Sequence, residues 1–428
     1  MVIYGAAYSI RLLDEVSAIV VSAGTSTLSA GYAGEDTPKL VIPTQYTHKG
    51  NDAYFGDNGV DVYRDGFDVD NTMSDSLIND FDRFTQLLEH SLTHLLRADT
   101  QQHPLLFTEP AWNTHKHREK IAEIAFEKFN VPGFYIANDS VLSAFAAGKS
   151  TALIIDIGAE STSVTPIVDG FVLRKGVLRN NVGGTQVTNH YLNSLEQTQR
   201  DNLLKNLIPH QLIDSKTSCE PGQAPNFSLR QDIHPTESWL NYSKSKILKD
   251  WREATSAILE STWDEHKVYQ RSPKSYEFPN GFSDSYQVAR FKANEILIHP
   301  NTFQSQPSTN TFEPASISPS SQKSLPDLIR ESIQAAESDS RTQLLSNIIL
   351  VGGVSATPGL SERIQNDVFS LFSSNRVKVH TPANPVERKF SSWLGGSILG
   401  SLGTFHQLWI SQDEWKEFGK PIVNMRCK

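Results

Sequence analysis

The chain has 428 residues, of which 38% are hydrophobic and 20% are charged, and its net charge is −9. This length is sufficient for a large core and for two domains. The acidic balance argues against a protein that grips nucleic acid over a wide surface, because phosphate binding needs basic patches. The two cysteines, Cys219 and Cys427, are too few for a disulfide framework and indicate a reducing compartment.

The hydropathy pattern argues against membrane insertion, because no apolar run reaches the ~18 residues that a membrane helix needs. Near the first residue, Asp14 and Glu15 follow closely behind a short apolar stretch, which is not the pattern of a signal peptide. We therefore expect no membrane partner and a location in the cytosol or the nucleus.

Two segments share one pattern of strand, tight turn and strand. They are "AIVVSAGTSTLSAGYAG" (18–34) and "IIDIGAESTSVTPIVDG" (154–170). The repeat predicts two related α/β halves with a cleft between them. The alternative is that two unrelated hairpins happen to have small residues in their turns.

Between the two segments, the first half alternates strands and helices. A third strand is predicted in "GEDTPKLVIPTQY" and a helix across "LINDFDRFTQLLEHSLTHLL" (77–96). "HPLLFTEPAW" reads as a buried strand and "HKHREKIAEIAFEKFN" as an amphipathic helix. "DSVLSAFAAGKS" predicts a helix of small residues that ends at Gly148.

The second half is less regular. Residues 193–240 are polar and contain four prolines, and we expect them to be irregular. Residues 302–324 are rich in Ser, Pro and Thr, which is typical of a surface insertion. "NIILVGGVSATPGLSERIQNDVF" predicts a strand, a Gly-Gly turn and a helix, and the chain ends with a Gly-spaced apolar helix and an amphipathic one.

Several segments, in this order, resemble actin and the actin-related proteins. They are "GYAGEDTPKLVIPT", "HPLLFTEPAWNTHKHREKIAEIAFEKFNVPGFYIA", "SYEFPNG", "NIILVGGVSATPGL" and "ERKFSSWLGGSILGSLGTFHQLWIS". The resemblance covers nearly the whole chain except 193–240 and 302–324. It implies an actin-like, ribonuclease-H-like α/β fold, with two duplicated halves around a nucleotide cleft.

The resemblance also implies domain boundaries. Residues 1–150 would form the first half (subdomains 1 and 2). Residues 151–385 would form the second half (subdomains 3 and 4), with insertions near 193–240 and 302–324. The helices of residues 386–428 would return to the first half.

Within the family, "TEPAWN", "SLGTF" and the diverged loops most resemble the nuclear actin-related protein 4 class. Those proteins sit beside actin in chromatin-remodelling and histone-acetyltransferase assemblies. The resemblance implies a nuclear, non-catalytic subunit that pairs with nuclear actin on an amphipathic helix of a large scaffold or motor subunit. Other subunits of such complexes are further partners, and histones or nucleosomes are additional candidates.

The two turns are candidate phosphate loops, because backbone N–H groups in a turn make a concave nest for anionic oxygens. The alternative is tight turns without a ligand. By resemblance, ATP would act as a structural ligand, and Gly184, Lys244 and Lys389 would surround its ribose and adenine. The candidate cofactor-binding residues are Gly24, Thr25, Ser26, Asp156, Gly158, Ala159, Gly184, Lys244, Gly352, Gly353 and Lys389.

The residues that the resemblance assigns to hydrolysis are mostly replaced. Actins place one Asp at the end of each hairpin's first strand, and here Asp156 matches whereas Ser22 does not. The phosphate-binding Lys falls at Ser29, and the Gln and His that act on the attacking water fall at Asp139 and Ser163.

We therefore expect no efficient ATP hydrolysis. We also expect weak Mg²⁺ binding at best, because Asp156 is the one candidate ligand. Glu160 also replaces a loop Gly and brings negative charge towards the phosphates. Asp139 has a second interpretation as a helix N-cap.

A candidate partner groove involves the last apolar helix. Leu394, Ile398 and Leu402 recur at a spacing of four with Leu399 beside them, and the preceding small-residue helix adds Phe145 and Gly148. In actins the corresponding residues line a groove for an amphipathic helix. The alternative is that these residues are ordinary core.

Two other function classes stay open on the sequence alone. One is a working ATPase or a sugar-kinase-like enzyme, and the other is a filament-forming cytoskeletal protein. The chain between Pro43 and Tyr54 is shorter than actin's subunit-clasping loop, and two stretches add bulk. Both features argue against filaments, because an open filament needs two complementary faces on each subunit.

Overall fold

The structure of the chain is a computed structural model. It describes residues 16–428 except 218, 221, 302–321, 374 and 383. Among the described residues, no helix has both the length and the apolar character needed to cross a bilayer.

Strands and helices alternate along most of the described chain. The strands are β1 (Ile19–Ala23), β2 (Thr27–Tyr32), β3 (Leu40–Pro43), β4 (Gln45–Lys49), β5 (Asp52–Tyr54), β6 (Asp68–Asn71), β7 (Met73–Ser74), β8 (Leu77–Ile78), β9 (Leu105–Glu109), β10 (Gly133–Asn138), β11 (Ala152–Ile157), β12 (Thr162–Val168), β13 (Phe171–Val172), β14 (Leu178–Asn180), β15 (Ile213–Thr217), β16 (Asn226–Leu229), β17 (Lys274–Glu277), β18 (Ser283–Tyr286), β19 (Ile348–Val351), β20 (Val379–His380) and β21 (Ile410–Ser411).

The α-helices are α1 (Asp57–Val60), α2 (Phe81–Glu89), α3 (His115–Glu123), α4 (Asp139–Ala146), α5 (Gly184–Ser194), α6 (Gln197–Lys205), α7 (Glu237–Thr255), α8 (Glu265–Tyr269), α9 (Val288–Lys292), α10 (Glu295–Ile298), α11 (Leu325–Gln334), α12 (Ser338–Ser346), α13 (Leu360–Leu371), α14 (Pro385–Lys389), α15 (Ser391–Gly400), α16 (Gln412–Phe418) and α17 (Ile422–Arg426). Turns of π-helix extend α2 through His90–Leu95 and α3 through Ile124–Lys128. Short 3₁₀ segments lie at Arg174–Gly176, His210–Leu212, Gly353–Ala356 and Gly403–Leu408.

Two sheets have the same topology. The first has the order β21–β10–β9–β1–β2–β3, and the second has the order β13–β12–β11–β19–β20 with β14 also paired to β12. In each sheet an antiparallel hairpin, β1–β2 or β11–β12, is followed by parallel strands on the other side of its first strand. The matching order and directions confirm the predicted α/β fold with two duplicated halves.

The duplication extends to single hydrogen bonds. Ser22 pairs with Ser29 in the first hairpin, and Asp156 pairs with Ser163 at the equivalent positions of the second. The Gly24 N–H donates to the Thr27 carbonyl and the Gly158 N–H donates to the Ser161 carbonyl, both at 2.9 Å. One sequence offset relates all these pairs, which favours an internal repeat over two unrelated hairpins.

Each sheet has its own apolar core. Ile19, Val21 and Phe107 belong to the first core, and Leu153, Ile155 and Trp251 belong to the second. These inward residues come from short runs of β-branched and aromatic side chains, which suit buried strands. The long helix α7 contributes Ile247, Leu248 and Trp251 to the second core.

The C-terminal segment packs on the first sheet, where β21 pairs with β10. Helix α15 lies against α4 and β1, and its buried Trp393 donates an indole hydrogen bond to the Val20 carbonyl at 3.0 Å. A Cβ at Gly395 would lie 1.9 Å from the Leu142 carbonyl oxygen. The Gly-Gly pair of this helix therefore permits its close approach to α4.

Three expectations about local structure need correction. The helix predicted across 77–96 begins only at Phe81, because Leu77–Ile78 form β8 and the Asp80 side chain caps the helix by accepting from the Asp82 and Arg83 N–H groups. Residues 193–240 are not irregular, since they hold α6, the β15–β16 hairpin and the start of α7. Most of the predicted insertion at 302–324 lies outside the described residues, whereas Ser324 caps α11.

Candidate functional site

The two candidate phosphate loops meet at the tip of the β7–β8 hairpin. The Ser76 N–H donates to the Thr25 hydroxyl at 2.9 Å in the first loop. The neighbouring Asp75 N–H donates to the Glu160 carboxylate at 3.0 Å in the second loop. Two adjacent residues of the first half thus join both loops across the cleft.

Hydroxyl groups fill the end of the first hairpin strand. The Ser22 hydroxyl lies 3.1 Å from the Ser392 hydroxyl and accepts a hydrogen bond from Thr108 at 3.1 Å. Ser29, where actins carry a lysine, is buried and donates to the Ser22 carbonyl at 3.3 Å. Neither charge of the actin pattern is present here, and the replacing side chains are satisfied by one another.

The first loop is also occupied by its own structural bonds. The Thr25 carbonyl accepts from the Thr44 hydroxyl at 2.6 Å and from the Asn71 side-chain amide at 2.9 Å. The Ser26 carbonyl accepts from the Thr44 N–H at 3.4 Å, and the Gly24 N–H closes the turn. Three backbone N–H groups in this loop, those of Gly24, Thr25 and Ser26, are predicted to bind phosphate. The bonds described above use the Gly24 N–H but not the N–H groups of Thr25 and Ser26.

Two buried carboxyl groups, Asp139 of the first half and Asp156 of the second, influence each other electrostatically. Burial raises the pKa of Asp156 to about 6. Burial and then the charge of Asp156 raise the pKa of Asp139 to about 8. The raised pKa favours the protonated form of Asp139, and in that form it cannot take a proton from an attacking water.

The N-cap interpretation of Asp139 is wrong. Asp139 is the first residue of α4, and the preceding Asn138 is the cap, since its side chain accepts from the Ser140 and Val141 N–H groups. The Asp139 carboxyl instead accepts from the Ser140 hydroxyl at 3.1 Å. Its position in the cleft is therefore not explained by helix capping.

Glu160 belongs to a charged bridge across the cleft. Its carboxylate accepts from the Asp75 N–H, and Asp75 also forms an ion pair with Arg179 of β14. The Arg179 guanidinium lies 4.9 Å from the centre of the Trp112 ring, and Trp112 donates to the Asp75 carbonyl at 3.2 Å. Burial, followed by the charge of Asp75, raises the pKa of Glu160.

The second loop is fixed by the start of α5. The Gly184 N–H donates to the Gly158 carbonyl at 3.0 Å, and the Thr185 N–H donates to the Ala159 carbonyl at 2.8 Å. Gly352, with a φ of 91°, packs so closely that a Cβ there would lie 2.3 Å from the Asp156 carboxylate. Gly158, Ala159, Gly184, Gly352 and Asp156 are thus brought together.

A cationic group lies beside Gly184, at the end of the cleft where the resemblance predicts the nucleoside and which we call the nucleoside end. The buried Arg252 lies beside Gly184, where a Cβ would be 3.4 Å from Arg252 Nη2, and its Nε has no hydrogen-bond partner among the described residues. Burial lowers the pKa of Lys249, and the charge of Lys389 lowers it further. Gly353 is exposed, with open space where a Cβ would stand.

Lys244 lies apart from this group. It precedes Arg252 by two turns of α7, or about 12 Å along the helix axis at 1.5 Å per residue. Burial lowers the pKa of Lys244. The structure therefore places Arg252 rather than Lys244 next to Gly184.

The two ends of the cleft differ in how well they fit a nucleotide. The nucleoside end, with Gly184, Gly353 and the unpartnered Arg252 Nε, suits a polar planar ligand. At the phosphate end, Asp139, Asp156 and Glu160 present carboxyl groups whose pKa values are all raised. No cluster of three or more His, Cys, Asp or Glu side chains suited to a metal ion occurs in the described part of the chain. The weak Mg²⁺ site at Asp156 stays a prediction.

The candidate groove residues of the C-terminal segment form a stripe that runs along α15, continues to Leu402 just past its end, and reaches solvent. Ile398 is 36% exposed and Leu402 is 39% exposed, so neither is core. Leu394, Leu399 and Phe145 are half-buried, and Gly148 is exposed at the end of α4. We call Leu394, Ile398, Leu399 and Leu402 the α15 stripe.

Sequence reasoning missed four residues of the cleft, namely Asp75, Trp112, Arg179 and Arg252. Asp75 and Ser76 form a two-residue turn with φ of 51° and 60°, but the usual signal for such a turn is Asn-Gly or Asp-Gly. The available sequence signal for Arg252 was its position four residues after Leu248, which places an arginine on the apolar face of an amphipathic helix.

Comparison with known proteins agrees with this topology. The protein-family model described as Actin matches residues 13–428. A protein of Mycosarcoma maydis named Actin-related protein 4 is 34% identical, over 97% of this chain and 99% of its own length. Actin-related protein 4 of Yarrowia lipolytica is also 34% identical, over 95% of this chain and 94% of its own length.

A further relative, from Schizosaccharomyces pombe, is named SWI/SNF and RSC complexes subunit arp42. It is 33% identical over 97% of this chain and 100% of its own length. These matches span nearly the whole chain and include several proteins named Actin-related protein 4, which confirms the resemblance drawn from the motifs. The duplicated sheets, the facing loops and these matches together show that the chain belongs to the actin family.

Proposed function

We propose that the chain is a non-catalytic, actin-like subunit of nuclear chromatin-remodelling and histone-acetyltransferase complexes. In this role it pairs with actin on an amphipathic helix of a large scaffold or motor subunit. The observation that carries the proposal is the α15 stripe, whose Ile398 and Leu402 are 36% and 39% exposed. Large aliphatic side chains aligned on one helix face suit the apolar face of a partner helix.

The relatives support the same role. The Schizosaccharomyces pombe relative is named as a subunit of the SWI/SNF and RSC complexes, and other relatives are named Actin-related protein 4. By analogy, this chain acts in the nucleus beside nuclear actin and other subunits, with histones or nucleosomes within reach of the assembly. Actin-type self-assembly into filaments is not part of this role.

The cleft supports the non-catalytic part of the proposal. Hydrolysis of ATP needs a positioned water and cation-based charge neutralisation. Here Ser22 is bonded to other hydroxyls, the pKa of Asp139 is raised so that its protonated form is favoured, and Glu160 adds negative charge. In this proposal ATP binds as a structural ligand and is not hydrolysed. Arg252 and Lys389 lie at its nucleoside end, and its phosphates lie between the two halves.

The test measures both partner binding and the melting temperature of one variant, Ile398→Asp. Burying one aliphatic side chain against the partner helix contributes roughly 1.5–3 kcal/mol to the free energy of binding. A carboxylate at position 398 would instead lose its hydration without gaining a hydrogen-bond partner. Since about 1.4 kcal/mol is tenfold in affinity, capture of actin and the scaffold subunit from nuclear extract should fall at least tenfold. The melting temperature should be preserved because Ile398 is partly exposed.

Phe369→Asp is the matched control, because Phe369 is a 52% exposed apolar side chain on α13, away from the stripe. This control should keep wild-type capture. Unchanged capture by a stably folded Ile398→Asp protein would refute the stripe as the docking surface. If Ile398→Asp lowers the melting temperature, Leu402→Asp repeats the test at a more exposed position of the same stripe.

A further inference from the structure

The outer mouth of the cleft is crossed by many contacts between the two halves. Residues 58–69 of the first half, which run from α1 into the start of β6, lie against His234 and the first turns of α7. Helix α7 is anchored in the second core by Ile247, Leu248 and Trp251. Any widening of the mouth must therefore break these contacts or pull α7 out of that core.

Trp239 is the buried anchor of the mouth. It is 1% exposed, and its indole N–H donates to the Val60 carbonyl at 3.0 Å. Its ring meets the Tyr63 ring edge-on, with 5.7 Å between the ring centres and 80° between the planes. The Tyr63 hydroxyl accepts a hydrogen bond from the His234 N–H at 3.1 Å. Both aromatic rings therefore have their apolar and polar parts satisfied across the mouth.

Asp61 is the charged centre of the same surface. Its carboxylate forms an ion pair with Lys246 and accepts from the Tyr242 hydroxyl at 3.2 Å. Its backbone carbonyl accepts from the Gln211 side chain at 2.9 Å. One residue of the first half thus holds three residues of the second.

The start of α7 continues the contact onto β6. The Thr236 hydroxyl donates to the Phe67 carbonyl at 2.7 Å, although it also caps α7. The Ser238 hydroxyl donates to the Asp68 carboxylate at 2.6 Å and accepts from the Val69 N–H at 3.1 Å. The helix terminus and the strand edge therefore satisfy each other's polar groups.

We infer that Val60, Asp61 and Tyr63, together with His234, Trp239, Tyr242 and Lys246, form a mouth latch that holds the cleft closed through the chain's own side chains. Exposed single ion pairs contribute little, but this set includes a buried tryptophan and a connected network around one carboxylate. Closure is then independent of nucleotide, and a ligand in the cleft enters and leaves only when the latch opens. This inference does not depend on the proposed partners.

Amide hydrogen exchange tests the latch directly. We compare protein treated first with apyrase and Ca²⁺ and then with EDTA with protein supplied with ATP and Mg²⁺. Amides of residues 58–69 and 236–246 should exchange at the same rate, within twofold, in both samples. Loss of protection of these amides after apyrase treatment would overturn the inference, because closure would then depend on nucleotide.

A latch variant provides the second arm. Asp61→Asn combined with Tyr242→Phe removes the ion pair and one hydrogen bond without removing volume, and exchange at 58–69 should become at least tenfold faster. Glu260→Gln is the matched control, because it breaks an exposed ion pair with Arg271 outside the mouth. Amides of β1 and β11 report whether the double variant is folded.

If the amides of β1 and β11 also lose protection, Tyr63→Phe replaces the double variant, since it removes only one hydroxyl. A folded variant that keeps wild-type protection at 58–69 would refute the latch.

Discussion

Ser22 and Asp156 show how a single position decides the chemistry of each half. Both stand at the end of the first strand of a hairpin, paired with Ser29 and Ser163 at equivalent positions. Ser22 is a neutral group in contact with Thr108 and Ser392, whereas Asp156 is a carboxylate with a pKa raised by burial. One carboxylate and a set of hydroxyls cannot neutralise a transferring phosphoryl group as paired carboxylates and a cation would.

The raised pKa of Asp139 predicts a pH-dependent stability. Its pKa is about 8 in the folded protein, from an ordinary value of 3.8. Because the folded state prefers the protonated form, this contribution is fully present below about pH 4 and is lost as the pH rises to about 8. Asp139→Asn puts a neutral side chain of similar shape in place of the protonated carboxyl. The variant should therefore not lose this stability as the pH rises.

Urea unfolding at pH 5 and pH 8 measures the effect. The free energy of unfolding of Asp139→Asn, relative to the wild type, should rise by more than about 1.4 kcal/mol between these pH values, the equivalent of one pKa unit. Asp52→Asn, at an exposed position of β5, is the control and should show no such change. A parallel pH dependence in wild type and Asp139→Asn would show that Asp139 is ionised in the folded protein.

At the scale of elements, the start of α11 shows where the Ser/Pro-rich segment ends and a capped helix begins. The Ser324 hydroxyl accepts from the Asp327 N–H at 3.2 Å, and the following Leu325 is fully buried. The side chain of Asn301 donates to the Gln322 carbonyl at 2.8 Å, so the residues that flank 302–321 are already in contact. A Ser/Pro-rich composition therefore does not extend the removable segment to residue 324.

Deletion of residues 302–321, with a short Gly-Ser connection between Asn301 and Gln322, should leave the melting temperature within a few degrees of the wild type. Its flanks are already held together, and shortening a loop costs little entropy. Deletion of 302–324 should lower the melting temperature clearly, because it removes the α11 cap, worth about 1 kcal/mol. Equal melting temperatures for the two deletions would contradict the assigned boundary.

At the scale of the whole molecule, the repeated hairpins made the duplicated fold predictable from the sequence. Apolar runs such as "IIDI" predict strands, and the small residues that follow them predict tight turns. Both features occur in the two sheets of the structure. The contacts that cross the cleft were not predictable. Asp75 and Glu160 are far apart in sequence, as are Asp61 and Lys246, and no local pattern indicates that these side chains meet.

The same limit applies to single positions. Lys244 and Arg252 lie on one helix, and the sequence alone does not say which of them faces Gly184. Asn138 and Asp139 are both good caps by type, and the backbone at Asn138 decides between them. The exposed fraction of Ile398 likewise depends on how closely α15 approaches α4 through Gly395.

The central claim is that the chain keeps the actin fold without the chemistry of ATP hydrolysis, and steady-state phosphate release tests it most directly. Purified chain with ATP and Mg²⁺ should release phosphate no faster than its Asp156→Asn variant, which lacks the remaining candidate metal ligand. Turnover at an ordinary enzyme rate, on the order of 1 s⁻¹ or more, that Asp156→Asn abolishes would contradict the account.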